Sequence, residues 1–280
     1  MKKFREKVAV ITGGASGMGY AIAERCVKEG MKVVIADIEK AALTQAEKAL
    51  KSGGADILTL QADISRVKDV ETIAQKTLDA YRAVHLLFNN AGVTVPDNAI
   101  WERTLADWQW VMGVNLWGVI HGIRVFVPIM LRQNSEGHIV NTASIAGLIS
   151  GPGMGIYKVT KHGVVTLSET LYHDLMIARS KIRVSVLCPG LVNTRMSDSA
   201  RNRPPELRND PTKEVSISKE DRESKFKNER MISPNEVADR IFEAIINDKF
   251  YILTHPETKK WIQLRMEDIL EDRHPSNPAE

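Results

Sequence analysis

Short runs of apolar, β-branched residues recur along this chain, each followed by a longer stretch of amphipathic period. Strands are predicted at residues 7–12, 32–36, 57–62, 85–88, 138–142, 182–187 and 250–254. Helical periodicity fills the gaps at 18–29, 40–51, 67–81, 105–131, 157–178 and 235–246. Runs such as Val8-Ala9-Val10-Ile11 and Val33-Val34-Ile35 have no polar face. A strand of that kind must be covered on both sides, which a parallel sheet between two helical layers does. Right-handed crossovers then make the fold α/β and doubly wound, with helices on both faces. No internal repeat or linker divides the chain, so 1–280 reads as a single domain.

The wider composition excludes several functions. A net charge of +3 over 280 residues provides no concentrated basic face for nucleic acid. Two cysteines, Cys26 and Cys188, are too few for a disulfide framework or zinc cluster. Seven histidines show no paired ligand spacing, so no metal is expected. Apolar stretches break before the roughly 20 residues of a membrane span, and the charged start shows no signal peptide. The expectation is a cytoplasmic protein without membrane or nucleic-acid partners.

Chemistry concentrates at the predicted strand ends. Thr12-Gly13-Gly14-Ala15-Ser16-Gly17-Met18-Gly19 joins the first strand to the first helix. Its glycines let the backbone turn tightly and bring a pyrophosphate to free N–H groups at a helix N-terminus. Asp37 closes the second strand, 18 residues after Gly19. A carboxylate there accepts hydrogen bonds from both adenosine ribose hydroxyls and repels a 2′-phosphate. No Lys or Arg lies in the glycine loop or directly after Asp37, at Ile38. The pairing favours NAD over NADP, although Asp37 would also serve as a cap for the next helix. Asp63-Ile64 and Asn89-Asn90-Ala91-Gly92, at the ends of strands three and four, read as the far wall of the same site. Singly, these are ordinary turn residues.

Tyr157 and Lys161 stand four residues apart on one helical face. A phenol with pKa of about 10 is a poor base at neutral pH. A nearby ammonium and an oxidised nicotinamide favour the phenolate, so Tyr157 could exchange a proton with an alcohol or ketone oxygen. Ser144, 13 residues earlier at a strand end, could hold that oxygen. Asn115, inside the long helical stretch, could hold a water leading to Lys161. Taken alone, each has a plain structural reading as a cap, a turn residue or a packed polar side chain.

Together these residues resemble the classical short-chain dehydrogenase/reductase family. The matching set is Thr12-Gly13-x3-Gly17-x-Gly19, Asp63, Asn89-Asn90-Ala91-Gly92, Asn115, Ser144, Tyr157-x3-Lys161 and Pro189-Gly190-x3-Thr194, in family order across residues 12–194. The resemblance implies a Rossmann-type sheet of seven mostly parallel strands. It implies Tyr157 as acid/base, Ser144 on the substrate oxygen, and Lys161 and Asn115 in a proton relay. It also implies that Thr194 and the backbone near Val192 contact the nicotinamide carboxamide. The cofactor-binding set is then Gly13, Ser16, Gly17, Met18, Gly19, Asp37, Ile38, Asp63, Ile64, Asn90, Ala91, Gly92, Tyr157, Lys161, Pro189, Gly190, Val192 and Thr194. Ser144 and Tyr157 form the substrate end. A homodimer or homotetramer paired through the helices of Asn115 and Tyr157 is implied as well.

The expected activity is NAD-dependent interconversion of a secondary alcohol and a ketone by hydride transfer. The alternatives are an epimerase or dehydratase retaining NAD, or an NAD(H)-sensing binding protein without turnover. The small, apolar run at 146–154 points to a largely apolar substrate. Residues 195–230 break the pattern, since 18 of these 36 residues are charged. They read as a solvated insertion or as a lid over the strand ends. Residues 231–280 form a C-terminal strand and helix extension.

Overall fold

The computed structural model describes residues 1–210 and 230–277. The elements run β1 (Val8–Thr12), α1 (Gly17–Lys28), β2 (Lys32–Asp37), α2 (Lys40–Lys51), β3 (Ile57–Gln61), α3 (Val67–Tyr81) and β4 (Leu86–Asn89). They continue with α4 (Leu105–Met112), α5 (Gly118–Gln133), β5 (Gly137–Thr142), α6 (Gly155–Ile177) and β6 (Ile182–Cys188). Beyond residue 230 come α7 (Pro234–Ile246), β7 (Tyr251–Leu253) and α8 (Lys259–Leu270). The strands form one sheet in the order β3-β2-β1-β4-β5-β6-β7, and every pairing is parallel.

The all-apolar strands are buried for the reason their composition implied. In β1, Ala9 and Ile11 join Ile22, Leu43 and Phe242 on one face of the sheet. Val10 points the other way, into a layer with Ile73, Phe126 and Leu171. Helices α1, α2 and α7 therefore cover one face, and α3, α5 and α6 the other. The chain leaves β1 toward β2 and later returns to pair β4 on β1's other edge. That reversal opens a crevice above the carboxyl ends of β1 and β4, where ligands bind in such sheets.

Two helical expectations are modified. The predicted helix at 105–131 exists, but a π-turn at Gly113–Trp117 divides α4 from α5. The combined stretch Leu105–Gln133 is long and apolar enough, by length and composition, to cross a membrane. It packs instead against α3, β4 and α6, burying Val119, His121, Phe126 and Met130. Helix α8 adds to the sequence expectations; only its Asp268 is buried, and Met266, Ile269 and Leu270 stay exposed.

Candidate active site

The crevice is a cleft open to solvent. Its lining brings together Gly13, Ser16, Gly17, Met18, Gly19, Asp37, Ile38, Asp63, Ile64, Asn90, Ala91, Gly92 and Thr194. The glycine loop is held too tightly for larger residues. Gly13 has φ +64°, and a Cβ there would lie 2.8 Å from Ala91 Cα. A Cβ on Gly19 would land on the Gly13 carbonyl oxygen. Thr12 ties the loop down, its hydroxyl accepting from the Asn90 and Ala91 amides at 2.9 and 3.2 Å. Asn90 Nδ2 donates to Thr12 O at 3.0 Å. Asn90 Oδ1 is buried with no hydrogen-bond partner among the described residues.

Asp37 stands at the other end of this wall. Its Oδ2 accepts from Ala15 N and its Oδ1 from Glu39 N, both at 3.1 Å. The N-cap of α2 is Glu39, not Asp37. Burial pushes the Asp37 carboxyl above its ordinary value, against the pull of the Glu39 and Ala15 amides. Asp63 is braced by Ser65, whose amide and hydroxyl donate to its Oδ1 at 3.0 and 2.7 Å.

The catalytic candidates gather beside the crevice. Tyr157 and Lys161 lie in the first turns of α6, and both are buried. Lys161 is 1% exposed, with Nζ 5.5 Å from the Tyr157 ring centre. Its ammonium donates to Thr142 O at 2.8 Å. Burial lowers the Lys161 pKa to about 8 and raises that of Tyr157 to about 12, the Ser144 hydrogen bond opposing the second shift. In the chain alone desolvation outweighs the Ser144 hydrogen bond, and the Lys161 ammonium is directed at the Thr142 carbonyl. Ser144 caps a short turn, its Oγ accepting from Ala146 N at 3.1 Å.

Asn115 sits in the π-turn, fully buried. Its Oδ1 accepts from Val93 N at 2.8 Å and its Nδ2 donates to Val93 O at 2.9 Å. The side-chain amide thus positions the loop after β4 rather than pointing freely toward Lys161.

The loop after β6 owes its shape to the C-terminal extension. Gly190 N donates to His255 Nδ1 at 3.1 Å, and His255 Nε2 lies 2.9 Å from Arg230 O. Val192 bridges Ile232, and Ile145 N donates to Pro189 O at 2.9 Å. A Cβ on Gly17 would touch Thr194 Cγ2 at 3.2 Å, so this loop closes on the glycine loop.

Residues 195–210, the described part of the predicted lid, form the second wall of the cleft; 211–229 lie outside the described residues. Met196 Sδ lies 3.9 Å from the Tyr157 hydroxyl. Arg203 pairs with Asp107 at 2.7 Å, the side chains 6% and 4% exposed. Asn209 Nδ2 donates to the same carboxylate at 3.0 Å. Arg201 pairs with Glu39 at 2.7 Å, each side chain 24% exposed. Since β6 and β2 are separated in the sheet by β5, β4 and β1, this last pair crosses over the crevice. Glu39, Met196, Arg201, Arg203 and His255 escaped the motif reading, because each acts through a partner distant in sequence.

Comparison with known proteins agrees with this geometry. Residues 7–205 match the family model described as short chain dehydrogenase. A short-chain dehydrogenase/reductase from Burkholderia phymatum, solved in complex with NAD, is 46% identical, covers 99% of both chains and superposes with a TM-score of 0.93. A CLA biosynthesis dehydrogenase/reductase of Lactiplantibacillus plantarum is 35% identical over 98% of this chain and 97% of its own. A 1-deoxy-11-beta-hydroxypentalenate dehydrogenase of Streptomyces avermitilis is 32% identical over 93% of this chain and 89% of its own. With the seven-stranded sheet, the glycine loop and the Ser144, Tyr157 and Lys161 group all in place, the chain belongs to the short-chain dehydrogenase/reductase family of oxidoreductases.

Proposed function

We propose that this protein is an NAD-dependent dehydrogenase that interconverts a secondary alcohol and a ketone, with Tyr157 as acid/base. The observation that carries the reading is the placement of Tyr157, Ser144 and Lys161 beside a cleft whose far end holds the Asp37 carboxylate. The cleft suits a dinucleotide. Its glycine loop leaves no space for a Cβ at Gly13 or Gly19, and the buried Asn90 Oδ1 lacks a protein partner among the described residues. Gly13, Ser16, Gly17, Met18 and Gly19 would hold the pyrophosphate, Asp37 and Ile38 the adenosine ribose, and Asp63 and Ile64 the adenine. Asn90, Ala91, Gly92, Pro189, Gly190, Val192 and Thr194 would surround the nicotinamide half. NAD supplies the acceptor for the hydride of the carbinol carbon.

The chain's own residues handle the oxygen and its proton. Ser144 and Tyr157 hold the oxygen, and the Tyr157 hydroxyl donates its proton to a ketone or receives one from an alcohol. With its pKa raised to about 12, Tyr157 is a phenol when the chain stands alone. The Ser144 hydrogen bond opposes that shift and favours the base form. Lys161, kept dry and close, completes the relay, and Asn115 holds the loop that borders it.

A largely apolar substrate fits the surroundings of Tyr157. Met196 touches its hydroxyl, and Val93, Val95, Trp110 and Ile156 pack in the adjoining apolar cluster. Similarity to the hydroxypentalenate dehydrogenase of Streptomyces avermitilis supports action on an alcohol carried by a larger molecule. Trp117, Leu131, Val159 and Met176 leave apolar surface exposed along the π-turn, α5 and α6, which supports a homodimer or homotetramer paired through those helices.

The test is an NADH-absorbance screen against secondary alcohols and ketones, with Tyr157→Phe as control. Tyr157→Phe is expected to lower turnover by about 10²–10⁴-fold, the usual worth of a positioned acid/base, while NADH still binds. Undiminished turnover in that variant removes Tyr157 from the chemistry.

A further inference from the structure

The sequence places no basic residue beside Asp37, but the fold brings two to the cleft. Arg195 and Arg201, from the segment after β6, line it together with Asp37, Ile38 and Glu39. Arg201 is oriented on all sides. Its Nη1 donates to Arg195 O and Asp198 O at 3.1 and 2.7 Å. Its Nε and Nη2 converge on Glu39 Oε1 at 3.1 and 2.7 Å, and Asn202 Nδ2 adds a third donor at 2.9 Å. The Nε–Nη2 edge of a guanidinium is the one that receives phosphate as readily as carboxylate.

Glu39 is two residues past Asp37, and its amide donates to Asp37 Oδ1. A group attached to the ribose 2′-oxygen held at Asp37 therefore meets this rim. Hydrogen bonds from Arg201 outweigh partial burial and hold the Glu39 carboxyl below its ordinary pKa, so it is anionic at neutral pH.

We propose that Glu39 is a second cofactor-selectivity residue: its carboxylate occupies the guanidinium edge of Arg201 that the 2′-phosphate of NADP would otherwise take. The chain thus excludes NADP twice, by repulsion at Asp37 and by prior occupation of the arginine able to neutralise the phosphate. Arg201 is the latent phosphate receiver, and Glu39 keeps it engaged. The inference rests on the NAD reading above.

Fluorescence titration with NADH and NADPH tests this without any turnover. The proteins are wild type, Asp37→Ser, Asp37→Ser with Glu39→Ala, and that double variant with Arg201→Ala added. The Asp37→Ser background removes the first repulsion, so NADPH binding becomes measurable. Adding Glu39→Ala should tighten NADPH about tenfold, equivalent to about 1.4 kcal/mol, while NADH changes less than threefold. Arg201→Ala should cancel that gain. Glu39→Gln in the same background keeps the side-chain volume, and a smaller gain in the same direction supports the proposal. A gain that survives Arg201→Ala, or equal weakening of both dinucleotides, overturns it, the latter making the pair a strap and nothing more. Wild type that binds neither dinucleotide overturns the NAD reading as well; wild type that binds NADH, with no NADPH gain in the double variant, overturns this inference alone.

Discussion

The two walls of the cleft are built by different physics. The first, from the ends of β1 to β4, is backbone packed on backbone: Gly13 against Ala91, Gly19 against the Gly13 carbonyl, and Asn90 on Thr12. The second, residues 195–210, is held by side-chain charges reaching distant elements, with Arg203 on Asp107 and Arg201 on Glu39. The first wall has little freedom to change shape, since an atom added at Gly13 or Gly19 meets main chain. The second can be released by breaking a few ion pairs.

The largest effect should come from damaging the fixed wall. Gly19→Ala is expected to weaken NADH binding by at least about a thousandfold, on the order of 4 kcal/mol, as measured by fluorescence titration. Binding within threefold of wild type would show that the first wall yields, and the contrast would fail. Next comes the buried pair of the second wall. Arg203→Met removes the guanidinium that lies over Trp110 and leaves the Asp107 carboxylate without its cation, which should cost about 3 kcal/mol in chemical denaturation.

This second loss has a defined pH dependence. Burial of Asp107 favours the neutral acid, but hydrogen bonds from Asn209 and Arg203 outweigh it and depress the folded-state pKa below 3.8. The stabilisation is therefore complete above that value and disappears as pH falls through the depressed one. The gap between wild type and Arg203→Met should narrow below about pH 4; a gap that persists in acid would remove Asp107 as its source.

The smallest effect belongs to the partly exposed pair. Arg201→Ala should change unfolding stability by no more than about 1 kcal/mol, because water screens Arg201 and Glu39 in a way it does not screen Arg203. A loss equal to that of Arg203→Met would erase the distinction between a buried anchor and a releasable strap.

The legibility of the sequence follows the same division. The parallel sheet was readable because Val8-Ala9-Val10-Ile11 has no polar face. The glycine loop, Asp37, Asn90 and the Tyr157–Lys161 pair were readable because their spacing is local and their residue types are restricted. The π-turn at Gly113–Trp117 was hidden inside an unbroken helical period, so only tertiary packing reveals how Asn115 comes to face Val93. Helix α8 lies outside the sequence expectations, and its apolar Met266, Ile269 and Leu270 remain exposed rather than packed on the core.

By itself, then, the sequence determined what depends on short-range geometry: strands without a polar face, a turn that tolerates only glycine, and a tyrosine and lysine one helical turn apart. The tertiary structure alone decided which distant charges meet. Arg201 is 162 residues from Glu39, and Arg203 is 96 from Asp107. Nothing in local periodicity can encode such pairings, because they arise when the sheet order carries the segment after β6 back across the crevice. The raised pKa of Tyr157 likewise follows from the tertiary structure, where burial prevails over the Ser144 hydrogen bond and the Lys161 ammonium is held by the Thr142 carbonyl.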